Sequence, residues 1–291
     1  MKPLLPLIIF IPILLFSKAV KLEEILSDKN QIKLDFSTKY ININQKSNSF
    51  SLINYQTSGG DYVTIPTFTG DNLINKDILN YSLNLKYGVT KKFEIFSYIS
   101  GVSSFTKISS GFDFRTDKSD EFSTLGLGAI YQLRKEDTYP SLLIGGSTQA
   151  INRVEFQTGN KDTNFKANSI FLSSFYTTDP IVFFLKTSFQ KNEKTEKGEN
   201  SIQNGDIFSL EPQIYFAVNP YTSLNFGFNY SHQGKSRGDK EVISNSQSTL
   251  SYLFGMSYEI DFRSVFSMDI DFSNTPEYSQ NSFSINYSYK F

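Results

Sequence analysis

The chain has 291 residues, one histidine, no cysteine and a formal charge of −1, which excludes a thiolate metal set, a disulfide framework and the basic footprint of a nucleic-acid binder. Aromatic residues make up 15%, nearly all Phe and Tyr, yet mean hydropathy is −0.29 and no apolar run beyond the first twenty residues could span a bilayer as a helix. Many aromatics without a helical span means apolar side chains dispersed singly along alternating strands.

Residues 1–19 have the make-up of a secretory signal: Lys2, the apolar run Leu4 to Phe16, then Ser17-Lys18-Ala19 with small residues at the cleavage positions. Cleavage after Ala19 would remove Lys2 and Lys18 and take the charge from −1 to −3. In residues 20–30, Leu22, Ile25 and Leu26 fall at i, i+3 and i+4 of a short helical turn, which either lies in the periplasm or plugs the fold formed by the rest of the chain.

From Gln31 the period becomes two. Ile32, Leu34, Phe36 and Tyr40 point one way, and Lys33, Asp35, Ser37 and Lys39 the other. Residues 43–74 read as a polar, turn-rich loop containing two weakly patterned pieces, 50–55 and 62–67. These form either a loop hairpin or two more wall strands, and Pro66, which cannot donate to a ladder, favours the hairpin. Residues 78–87 and 92–100 read as strands joined by a turn at Gly88-Val89-Thr90. Further alternating stretches lie at Leu125 to Tyr131, Leu142 to Thr148, Phe165 to Tyr176 and Ile181 to Gln190. Those after them are Phe208 to Phe216, Leu224 to Tyr230, Leu250 to Tyr258, Phe266 to Phe272 and Phe283 to Phe291.

Connections alternate in length. The short ones fall at 88–90, 133–140, 177–180, 218–222 and 259–263, and the mostly long, polar ones at 43–74, 102–120, 150–164, 191–205 and 233–246. Strands near the length a tilted membrane strand needs, with that loop rule, predict an all-β fold: a transmembrane antiparallel up-and-down barrel over residues 31–291. Its strands number about twelve, or fourteen if the 50–67 hairpin enters the wall, and both termini lie on the periplasmic side.

The last strand places Phe283, Ile285, Tyr287, Tyr289 and Phe291 on one face and Ser284, Asn286, Ser288 and Lys290 on the other. With its terminal Phe291 it resembles the sorting signal of bacterial outer-membrane barrels. That likeness implies the barrel-assembly machinery and outer-membrane lipid as partners. The run Leu85-Lys86-Tyr87-Gly88-Val89-Thr90-Lys91-Lys92-Phe93-Glu94-Ile95 resembles the Tyr-Gly-(aliphatic)-Thr hairpin of an outer-membrane transporter family named for the meta-cleavage pathway of phenol degradation. Residues 125–133 with 140–146 resemble its next hairpin. The resemblance implies passage of small solutes, hydrophobic or aromatic ones among them. Where that family often carries an acid at the opening of the second hairpin, this chain has Thr124.

Chemistry has two candidate places. His232, in Tyr230-Ser231-His232-Gln233-Gly234-Lys235-Ser236, is similar to the active-site stretch of outer-membrane phospholipase A, in which a His-x-Ser dyad cleaves lipid esters. Here the required serine position is Gly234, Ser236 lies two residues further on, and Ser231 points to the other face. The expectation is therefore a histidine at the outer rim, with no catalytic, cofactor or metal residue assigned. Parity places Lys33, Lys39, Lys86 and Lys186 with Asp35, Glu94, Glu211, Asp269 and Asp271 towards the lumen, as selectivity groups or as paired struts across the wall. A twelve-stranded wall has a backbone diameter of roughly 24 Å, which leaves a narrow bore or none. A small-solute channel is the function expected, with a lipid hydrolase and a closed structural or adhesive barrel as the other readings.

Overall fold

The computed structural model describes residues 26–46, 50–56, 62–68, 73–110, 113–156, 159–239, 241–274 and 278–291. The signal segment and most of the 20–30 turn lie outside these. Twelve strands form the wall: β1 (Ile32–Lys46), β2 (Leu73–Thr90), β3 (Phe93–Ser110), β4 (Asp113–Arg134), β5 (Ser141–Phe156) and β6 (Ala167–Thr178). The other six are β7 (Ile181–Asn192), β8 (Ile207–Asn219), β9 (Thr222–Gln233), β10 (Gln247–Asp261), β11 (Ser264–Asn274) and β12 (Tyr278–Lys290). Each pairs antiparallel with its sequence neighbour, and β1 pairs with β12 from Lys33↔Lys290 to Gln45↔Tyr278, so the sheet closes on itself. Closure leaves no unpaired edge, which is the condition for strands to stand in hydrocarbon.

Side-chain alternation sets the two surfaces. Phe36, Leu83, Leu127, Phe183, Phe226, Phe254 and Phe272 are exposed on one face, and between them lie buried polar groups such as Asn80, Ser82, Glu94, Ser188 and Ser209. The inversion is complete enough to define the solvent, because water-soluble folds do not clothe a whole girth in exposed Phe, Leu and Ile.

The short connections sit at one end. Asn219 closes its turn by accepting from the Tyr221 and Thr222 amides at 2.9 Å, and Asp261 does the same for Arg263 at 2.7 Å. Both chain ends of the barrel meet there, the Phe291 amide donating to the Ile32 carbonyl at 2.9 Å. Pro212 interrupts one ladder. Between Leu210↔Tyr230 and Gln213↔Gly227 no pairing is made, because proline has no amide to offer Phe228.

The piece 50–56 pairs only with 62–68, outside the wall, so the count is twelve and not fourteen. Several connections differ from expectation. Strand β2 runs through Gly88 to Thr90 with a bulge, and the turn is Lys91–Lys92. Within the stretches 102–120 and 150–164, expected as loops, residues 102–110, 113–120 and 150–156 are strand extensions, β4 alone reaching 22 residues, with residues 159–163 folding back on β5. Within 191–205 and 233–246, Thr195–Lys197, Asn200–Gln203, Ser236–Gly238 and Glu241–Ser244 build a separate four-stranded sheet. Beyond the apolar band neither face must be greasy, so ribbons such as Arg115 to Asp120 lose the alternation by which strands are recognised. Charges hold them instead: Arg153 bonds Asp162 at 2.8 Å and keeps that carboxyl below its usual pKa.

Candidate functional site

The inner face of the barrel is chemically divided. On the β1, β2, β11 and β12 side the charged residues expected from parity are drawn into pairs. Lys39 Nζ meets Asp271 Oδ2 at 2.5 Å, reaching past β12, and Ser282 donates to the same oxygen at 2.8 Å. Lys33 stands directly opposite both Lys86 and Lys290, an arrangement of like charges that needs an anion. Asp35 supplies it, taking Lys86 at 2.8 Å and Lys33 at 3.9 Å while accepting from Ser288 at 2.6 Å. Lys186 and Glu211 are cross-strand partners on β7 and β8, 3.5 Å apart and less than a tenth exposed. Asp269 accepts from Asn225 at 3.2 Å and Asn286 at 3.3 Å. Glu94 lies within electrostatic reach of Lys33 and is fully buried, its Oε2 accepting from the Ser27 amide at 2.6 Å.

A cavity of about 290 Å³ opens among Lys39, Glu211, Asp269 and Asp271, where hydroxyls and amides such as Ser37, Asn225 and Asn286 share the walls with Tyr215, Leu253 and Val265. Two of its three carboxylates are offset in place, Asp271 by Lys39 and Glu211 by Lys186.

The inner rings stand on β3 to β8, which also carry the Lys186–Glu211 pair. Phe96, Tyr98, Phe171 and Phe175 are buried on the inner face, Phe175 packing with Leu143 and Val182, and Phe184 meets Tyr215 edge-on at 6.3 Å. These rings need room in the adjacent wall. A β-carbon at Gly126, Gly128 or Gly145 would collide with the rings of Tyr98, Phe96 and Phe171 respectively, so the glycines of β4 and β5 form the bed on which the rings lie. Composition and alternation alone give this half of the site no role, because Phe and Tyr in a barrel strand read first as lipid contacts. Parity holds the signal: Phe96 and Tyr98 share a phase with Glu94, and Gly126 and Gly128 occupy the inner phase of the next strand. A third inner cluster, Ile41, Ile43, Ile78 and Val102, lies at the long-loop end, where β1 continues past the residue at which a loop is expected.

His232 lies on the outward face of β9, near the long-loop rim. Its Nδ1 is 2.9 Å from the hydroxyl of Ser248, its neighbour on β10, which also meets the Tyr230 hydroxyl at 3.2 Å. Ser231 is buried on the inner face, and Ser236 takes the Gly205 amide. Among the described residues no carboxylate or amide bonds the other ring nitrogen, so the pair lacks the group that would orient a base.

A closed twelve-stranded antiparallel barrel with an apolar exterior and a polar-and-aromatic interior is the outer-membrane barrel class. Solved structures of similar fold include two outer-membrane barrels. An outer membrane channel from Pseudomonas putida F1 is similar with a TM-score of 0.61 at 12% identity, over 91% of this chain and 97% of that one. The translocator domain of the autotransporter NalP from Neisseria meningitidis is similar with a TM-score of 0.52 at 8% identity, over 91% and 90%. At such identities the likeness is one of fold. No protein-family model matches the sequence, and no curated protein does.

Proposed function

We propose that this chain is an integral protein of the bacterial outer membrane that passes small solutes, aromatic or otherwise apolar ones among them, and that its short-turn end and both termini face the periplasm. The observation that carries the reading is the division of the inner wall, with Phe96, Tyr98 and Phe171 bedded on glycine across from a hydroxyl- and amide-lined chamber. A merely structural barrel has no reason to devote three inner glycines to seating rings, since aliphatic side chains from both strands would fill the space equally well. A ring-sized apolar solute with one polar group would have a face for each half. The resemblance of Leu85 to Ile95 to the phenol-pathway transporter family supports the same solute class. The lumen-lining charges Lys33, Asp35, Lys39, Lys86, Lys186, Glu211, Asp269 and Asp271 act in this reading as paired struts that keep the chamber hydrated without strong ion preference. The test is reconstitution of the purified barrel in planar bilayers, with a panel of water-soluble phenols, aliphatic alcohols and sugars added to one side. Phenols should interrupt the current in a concentration-dependent way, and Phe96→Ser or Phe171→Ser should shorten the interruptions. Equal response to sugars and phenols would remove the aromatic wall from the solute path.

A further inference from the structure

Glu94 is out of place for a wall residue. It is fully buried on the inner face near the short-turn end, within electrostatic reach of Lys33, and among the described residues it makes no salt bridge and its Oε1 finds no hydrogen-bond partner. Its Oε2 accepts from one donor among the described residues, the backbone amide of Ser27, which is itself buried. A carboxylate so placed is costly unless its few hydrogen bonds are kept.

The segment that supplies the donor is folded back into the barrel mouth. Leu26 packs on the inner apolar cluster around Leu143, Phe175 and Val182. Asn30 turns the chain with a φ of 65° and donates to the Gly88 carbonyl at 2.7 Å, and Gly88 in turn donates to Gln31 at 3.0 Å. Gly88 itself carries the second observation. A β-carbon there would run into the carbonyl of Asp28, so the glycine of the Tyr87-Gly88-Val89-Thr90 stretch makes room for the returning segment and not for a turn. Two wall positions on neighbouring strands are thus shaped to one short piece of chain.

We infer that residues 26–30 form a clasp across the short-turn mouth, that Glu94 is the positioning residue that holds it shut, and that its release regulates passage into the aromatic half of the lumen. The inference deepens the channel reading and, in its regulatory part, rests on it. The clasp closes when the Ser27 amide docks on Glu94 and Leu26 seats on the apolar cluster. Loss of either contact frees the segment up to the Asn30–Gly88 bonds, which belong to the start of the wall.

The chain has no cysteine, so one introduced thiol reports on the segment alone. Ser27→Cys keeps the backbone donor, and the Ser27 hydroxyl it replaces has no partner among the described residues. In the folded, detergent-solubilised full chain, labelling of this thiol by a bulky maleimide should be slow. A hydrogen bond to a charged acceptor is strong enough that adding Glu94→Ala should speed labelling about tenfold or more. Glu94→Gln retains an acceptor oxygen and should stay within about threefold of the parent, since about half of that strength is lost. Should Glu94→Ala fail to fold, Gly88→Ala displaces the segment without touching the carboxylate and should give the same acceleration. Equal labelling rates in the parent, Glu94→Ala and Gly88→Ala backgrounds would overturn the clasp, and so would Glu94→Gln behaving as Glu94→Ala. Labelling needs no current, so a shielded thiol in an electrically silent barrel would keep the clasp and defeat the channel reading. A freely labelled thiol in a conducting barrel would do the reverse.

Discussion

Phe228 and its neighbour Asn229 give the sharpest contrast at the scale of single residues. Phe228 is exposed on the outer face and Asn229 half-buried on the inner one, although they are adjacent in the chain. Phe228→Arg places a cation in hydrocarbon at about 2–4 kcal/mol near the midplane, whereas Asn229→Arg reaches the polar side and should cost much less. Urea unfolding in lipid vesicles measures both, and equal losses would invert the face assignment of β9. A second contrast concerns the Lys186–Glu211 pair, whose members are both nearly inaccessible. Replacing Lys186 alone by Met strands a buried carboxylate and should cost about 3–5 kcal/mol, while Lys186→Met with Glu211→Leu should come close to the parent, since a buried pair is weak evidence for net stability. Additive losses in the double variant would mean the two charges act separately. The same logic explains what single residues reveal in the sequence. The charged inner positions are legible from parity, because a lysine or aspartate opposite a Phe stripe has one place to go. The inner rings are not, because a Phe in a barrel strand is ambiguous until the phase of its neighbours and the glycines across from it are read together.

Elements are legible where the membrane dictates them. The alternation of Leu79, Tyr81, Leu83 and Leu85 with Asn80, Ser82 and Asn84 is imposed by hydrocarbon on one side and a packed polar interior on the other. Outside that band the constraint disappears, and strand continuations such as 102–110 and 113–120 read as loop because their residues are chosen for water on both faces. Gly88 misleads for another reason: the returning chain that requires it is far in sequence from the turn it adjoins. The terminal strand offers a test at this scale. Phe291 is exposed, makes one ladder bond to Ile32, and lies 4.9 Å from the Tyr289 ring. Its deletion removes little from the finished barrel, on the order of one hydrogen bond, or about 1 kcal/mol. If Tyr287, Tyr289 and Phe291 act as an assembly signal, deletion should lower the amount of heat-modifiable barrel recovered from the outer membrane far more than it lowers the stability of the refolded protein. Parallel small losses in both assays would reduce the strand to an ordinary part of the wall.

For the molecule as a whole, the proposed channel ties what would pass, and how the wall charge would matter, to the division of the inner wall. Lys39 and Lys186 are offset by Asp271 and Glu211, so removing the carboxylates unmasks cations. The triple variant Glu211→Gln, Asp269→Asn, Asp271→Asn should shift the reversal potential in a salt gradient towards anion preference, most at low ionic strength where screening is weak. An unchanged reversal potential would place these residues out of contact with the ion path. The measurement that tests the central claim most directly is the single-channel current of the purified barrel in a planar bilayer, recorded for the parent and for Glu94→Ala. A clasped channel should give discrete conductance steps in both, larger for Glu94→Ala, and a water-soluble phenol should interrupt the current. A barrel that is folded by heat-modifiability yet silent across a range of voltages, with Glu94→Ala equally silent, would contradict the channel and leave a closed structural or adhesive barrel in its place.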